Sequence, residues 1–158
     1  MSSTLAHAAS ASLVAITFAH IHPSETSYIL VALVSASVLD IDHLVYAIKD
    51  REMYQRLGYL GNLHNARSVF HELFGLALIG LLAGLLFLVD QRLARVVFIA
   101  FTLHLVQDWL LGQSSPFAPV DNTAIQFFSL TFRQKVIIDL IVLAMSGALW
   151  ILFLAGGL

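Results

Sequence analysis

Cysteine is absent from the 158 residues, which removes disulfides and thiolate metal ligands together and leaves the redox compartment undetermined. Charge is scarce too: Asp, Glu, Lys and Arg make up 11% of the chain, against roughly 25% in ordinary soluble proteins. Net charge is −2 and no basic stretch occurs, so no nucleic-acid partner is expected. No G-x-S-x-G is present, which leaves a serine nucleophile elbow without support. His71-Glu72 begins like a zinc-peptidase H-E-x-x-H, but Gly75 stands where the second His would be. Internal repeats and low-complexity segments are also missing.

What remains is hydrocarbon. The chain is 59% hydrophobic with a mean hydropathy of +0.86. A soluble fold of this size would lack the polar side chains to cover its surface, so lipid is the expected solvent over most of it. The N-terminal MSSTLAHAASASLVAITFAH has no Lys/Arg region, and its small residues precede the apolar run, so it reads as a retained helix instead of a cleaved signal.

A bilayer core of about 30 Å needs roughly 20 apolar helical residues. Five segments fit: residues 4–20, 27–48, 68–89, 93–112 and 134–158. The expected fold is therefore an all-α polytopic membrane bundle of about five transmembrane helices, with 1–158 as one domain. The 113–133 connection carries the aromatic stretch IQFFSLTF, which suits the membrane interface. With five spans, Lys49, Arg51, Arg56, Arg67, Arg133 and Lys135 fall on one side and only Arg92 and Arg95 on the other. The positive-inside rule then puts the N-terminus in the cytoplasm and the C-terminus outside, in a plasma or inner membrane.

Ionisable groups within membrane helices are costly and default to functional candidates. In this topology His7, then Asp40, Asp42 and His43, then Arg67 and His71, and finally His104 and Asp108 all come to the cytoplasmic end of their helices. His104 and Asp108 are spaced i, i+4 on one helical face, Arg67 and His71 likewise, and Asp40 and His43 are i, i+3. Each has a plainer reading. The D-I-D-H stretch marks where a helix leaves the bilayer, His7 is incidental, and His71-Glu72 is an interfacial helix start. His104 and Asp108, flanked by FIAFTL and WLLG, resist that reading most. Buried charges must be paired or bound to metal, and His7, Asp40, Asp42, His43, His71, His104 and Asp108 form a nitrogen/oxygen donor set. One or two divalent ions are expected, Zn²⁺ first, with Mn²⁺, Fe²⁺ or Mg²⁺ as alternatives. His20 and His22 read as loop residues, His64 in the charged connection as a residue supporting the ligands or as incidental, and Asp139 as an i, i+4 partner of Lys135.

Asp40-x-Asp42-His43, Arg67-x-x-x-His71 and His104-x-x-x-Asp108, with the early His7, together resemble the membrane-bound metal-dependent hydrolase family. These are the YdjM-like inner-membrane proteins, also labelled LexA-binding putative hydrolases. The resemblance spans roughly residues 7–120, in order and with matching local spacings. The chain departs from the pattern at Ala66, where the family has His before the arginine. It departs again at Glu72, where a Ser follows the second His, and at Leu103, often Ser.

The resemblance implies a hydrolase, and the donor set suggests its chemistry: metal-activated water attacking a phosphoester of a lipid or amphiphile at the cytoplasmic face. Arg67 would clasp the phosphate, Asp108 or Glu72 would serve as general base, and Asp42 or Asp40 would bridge two ions. The rivals are a metal-ion or proton transporter and a metal-stapled scaffold. A transporter predicts a polar path to the outer face, and LIGLLAGLLFLV and LIVLAMSGALWILFLAGG offer none. Gly80-Leu-Leu-Ala-Gly84 is a G-x-x-x-G that points to close helix packing and a homodimer.

Overall fold

The computed structural model describes residues 4–41, 48, 52 and 68–157. Among them are five α-helices: α1 (Thr4–Phe18), α2 (Thr26–Ser37), α3 (Leu73–Phe87), α4 (Gln91–Leu111) and α5 (Phe132–Leu154). A 3₁₀ turn, Val38–Asp40, extends α2, and another, Val69–His71, precedes α3. After α4 a short antiparallel ladder pairs β1 (Gln113–Ser114) with β2 (Ile125–Gln126).

Two helices, α4 and α5, are long and apolar enough to cross a membrane, with 21 and 23 residues. The helices α1, α2 and α3 are apolar but shorter, at 15, 12 and 15 residues. The third segment was expected to be continuous from residue 68, and here the structure differs. Glu72 is extended (φ −119°, ψ −176°) and separates the 3₁₀ turn from α3. Side chains explain the other boundaries. Asp90 caps α4 by accepting from the amides of Arg92 (2.9 Å) and Leu93 (3.0 Å). Thr131 and Gln134 form a capping box that starts α5.

Helices α1, α2 and α4 pack on one another, α3 lies on α4, and α5 lies on α1. Small residues make the central contact. Ala8, Ala11 and Ala15 of α1 meet Ala36 of α2 and Ala100 of α4, and side chains this small let backbones approach closely. Further along, Leu13, Ile16, Ala32, Val96 and Phe153 form a solid apolar layer. Outward-facing Leu140, Ile141, Met145, Ile151 and Leu152 leave α5 with a hydrocarbon surface, as a lipid-facing helix requires. Of the two glycines in the G-x-x-x-G, Gly80 lies beside the Phe98 ring, 3.9 Å from where a Cβ would stand. Gly84 opens on a groove shared with Phe87, Ala94 and Arg95.

The end of the bundle that carries the α1–α2 and α3–α4 turns is tied by one polar knot. Arg92 grips both oxygens of Glu25 (2.8 and 2.7 Å) and donates to the His20 carbonyl (2.7 Å). Its guanidinium lies over the Tyr28 ring, whose hydroxyl donates to Asp90 (2.5 Å). Arg92 first, and then the His22 amide, hold the Glu25 carboxyl below its ordinary range. A lowered carboxyl pKa stabilises the fold above the ordinary value, and that stability is lost as pH falls through the lowered one. Glu25→Gln should therefore melt below wild type at neutral pH, and the two melting curves should converge in acid. A constant gap at all pH values would disprove the pairing.

Candidate metal centre

Opposite that knot, four elements end together. His7 sits in the first turn of α1, Asp40 closes the 3₁₀ extension of α2, and His71 closes the turn before α3. His104 and Asp108 occupy successive turns near the end of α4. One ligand atom from each of Asp40, His71, His104 and Asp108 lies within 4.8 Å of the other three. Oδ2 of Asp108 is 3.4 Å from Nε2 of His71 and 3.4 Å from Nε2 of His104. His104 Nε2 is also 3.5 Å from Asp40 Oδ1, and His7 Nδ1 is 3.5 Å from Asp108 Oδ1. His71 and His104 are fully buried, His7 and Asp108 nearly so.

The backbone fixes how these rings point. His104 Nδ1 lies 2.6 Å from the Ala36 carbonyl. A carbonyl only accepts, so the proton sits on Nδ1 and Nε2 turns toward the carboxylates. The alanine contact between α2 and α4 is what brings that carbonyl within reach. His71 is held from behind: the Trp109 indole donates to its carbonyl (2.9 Å). Glu72, also buried, accepts from the Ser114 hydroxyl and from the Ser115 amide (2.9 Å). This pins the connection after α4 to the start of α3. Gln107, one turn from His104, donates to Ser10 of α1 (2.9 Å).

The donor set fits a divalent cation on three counts. Charge-assisted N–H···O bonds close to about 2.7–2.9 Å, whereas all four His–Asp separations are 3.4–3.5 Å. Ligands held tetrahedrally at ~2.0–2.1 Å from one ion stand about 3.3 Å apart. His104 Nε2 is buried and makes no hydrogen bond among the described residues. Lastly, the two carboxylates of Asp40 and Asp108 would offset a charge of +2 in a place where unmatched charge is costly.

Of the seven predicted ligands, Asp40, His71, His104 and Asp108 form this group, and His7 adjoins it through Asp108. Asp42, His43 and Arg67 lie outside the described residues, as does His64. Glu72 stands outside the four-residue group, with both oxygens engaged by the 114–115 connection. Lys135 and Asp139 are buried on α5. Sequence reasoning missed the supporting residues Ala36, Trp109, Ser114 and Gly75. Only Gly75, a lone glycine in the first turn of an apolar helix, carried a local signal. A search of curated proteins and of solved structures returned no match. The sequence family described as YdjM inner membrane protein matches residues 1–157. With two membrane-length helices and the match running over nearly its whole length, the chain belongs to the YdjM inner membrane protein family.

Proposed function

We propose that this protein is a membrane-embedded, metal-dependent hydrolase that cleaves a phosphoester of a lipid or amphiphilic substrate at the cytoplasmic membrane face. The observation that carries the reading is the convergence of Asp40, His71, His104 and Asp108 at one end of the bundle. Asp40, His71, His104 and Asp108 would hold a divalent ion, which would supply charge stabilisation for the phosphoester and an activated water. The chain's own residues supply the rest. Ala36 holds the His104 ring in orientation and Trp109 anchors the backbone at His71. Asp108 belongs to the donor set, and Glu72 acts by positioning His71 through Ser114 and Ser115. The Arg67 fork matches two phosphate oxygens, a role that rests on the sequence.

The excess of Lys and Arg on one side supports the cytoplasmic orientation, where lipid phosphates line the leaflet. An enzyme is favoured over a conduit because the apolar layer of Leu13, Ile16, Ala32 and Val96 lies between the donors and the far end. Pairing of two copies through Gly80 and Gly84 would use the groove that both glycines line.

The test is phosphate or headgroup release from a panel of phospholipids and polyprenyl phosphates by purified protein, with and without added Zn²⁺ or Mn²⁺. Metal-dependent release by wild type, reduced more than about 100-fold in Asp40→Asn, is expected, since even outer-shell changes cost 10–100-fold. Ion uptake into proteoliposomes without any ester cleavage would overturn the assignment in favour of transport.

A further inference from the structure

We propose that a second divalent cation binds between His7 and Asp108, with Asp108 as the carboxylate bridging two ions. The inference rests on the metal centre above and extends it. The two oxygens of Asp108 serve different partners: Oδ2 faces His71 and His104 at 3.4 Å, and Oδ1 faces His7 at 3.5 Å. The His7–Asp108 spacing repeats that of the other donor pairs. It is longer than the roughly 2.7–2.9 Å of a charge-assisted hydrogen bond and close to the ~3.3 Å expected of two ligands on one ion.

Placement agrees with this. His7 is as buried as Asp108, and its ring meets the His104 ring edge-on with centroids 5.1 Å apart. It therefore adjoins the donor cluster and is not a stray residue near the N-terminus. A carboxylate that offers one oxygen to each ion generates the paired-metal arrangement, in which the ions stand about 3.5–4 Å apart.

Charge then says what completes the second site. Asp40 and Asp108 already neutralise one divalent ion. A second adds positive charge to the two carboxylates of the described cluster, and a bound anion would offset it. His7 Nδ1 and Asp108 Oδ1 are the atoms that flank this second position, with water and oxygens of the substrate assigned to the rest of its coordination. The second cation is accordingly the weaker one and binds together with phosphate. This makes the substrate an anionic phosphoester whose oxygens span both ions, and it assigns His7 a selective role in substrate binding.

The experiment is a Mn²⁺ titration of detergent-solubilised full-length protein, with and without inorganic phosphate, read by elemental analysis and electron paramagnetic resonance. Wild type should take two ions, the second tightened at least about tenfold by phosphate, and show a spin-coupled spectrum. His7→Ala and His7→Gln should keep one ion with the uncoupled six-line signal, at unchanged helical content. One ion in wild type, with the same count in both variants, overturns the second site and leaves the single-ion centre standing. Loss of every ion in both His7 variants also overturns it, because His7 would then belong to the first site. No ion in wild type removes the metal centre itself.

Discussion

Asp108→Asn should abolish metal binding and turnover while raising the thermal stability of the metal-free protein. The two signs differ for one physical reason. Asp108 and Asp40 present carboxylates to the same few ångströms. With a cation between them they are matched; without it, two negative groups repel in a medium that screens poorly. Asparagine keeps the shape and removes one charge. In wild type, saturating metal should raise stability by about 2.7 kcal/mol when free ion stands at 100 times Kd, and chelation should remove that gain. The variant should show no such increment. Melting curves with and without chelator, alongside elemental analysis, read both effects. If the cluster is instead a set of His–Asp ion pairs without metal, Asp108→Asn breaks several of them. It then melts lower under all conditions, and metal makes no difference to wild type.

The second large effect is expected at Gly75. A Cβ built there stands 1.9 Å from the Phe70 carbonyl oxygen and 2.6 Å from its carbon. Both are backbone atoms of the turn that carries His71. No rotamer change relieves such an overlap, so the turn has to move. Overpacking of side chains typically costs 1–3 kcal/mol and occasionally more; a clash with main chain belongs at or above the top of that range. We expect Gly75→Ala to lose about 3 kcal/mol or more of stability and to bind metal at least about 10-fold more weakly, through displacement of His71. Gly84→Ala is the control. Nothing stands within 4 Å of that site, and alanine is worth up to about 1 kcal/mol over glycine within a helix, so this variant should be neutral or slightly stabilised. Wild-type melting and metal affinity in Gly75→Ala would refute the close turn between the 3₁₀ segment and α3.

Much of the centre could be read from the sequence because its strongest parts are local. His104 and Asp108 are one helical turn apart, and the polarity of successive helices sends Asp40, His71 and His7 toward the same end. Five helices appear where five apolar segments were expected, although among the described residues only α4 and α5 reach membrane length. The break at Glu72 was hidden because its causes come from afar. The side chain is drawn off by Ser114 and Ser115, more than 40 residues on, and no periodicity encodes that capture. For the same reason the 3₁₀ turn that carries His71 ahead of α3 was not legible in the sequence. The carbonyl of Ala36 and the indole of Trp109 act across 68 and 38 residues of chain. A backbone acceptor leaves no mark in composition at all.

The hydrogen bond from His104 to Ala36 constrains how this centre could ever be retuned. Aspartate or cysteine at position 104 offers an ion an oxygen or a sulfur, yet neither carries a ring proton to hand back to the last turn of α2. Converting the site to a softer or harder metal by exchanging that residue would strand a main-chain oxygen in a place sealed from water. Preference among metals is more readily altered at Asp40, whose side chain keeps 11% of its surface exposed.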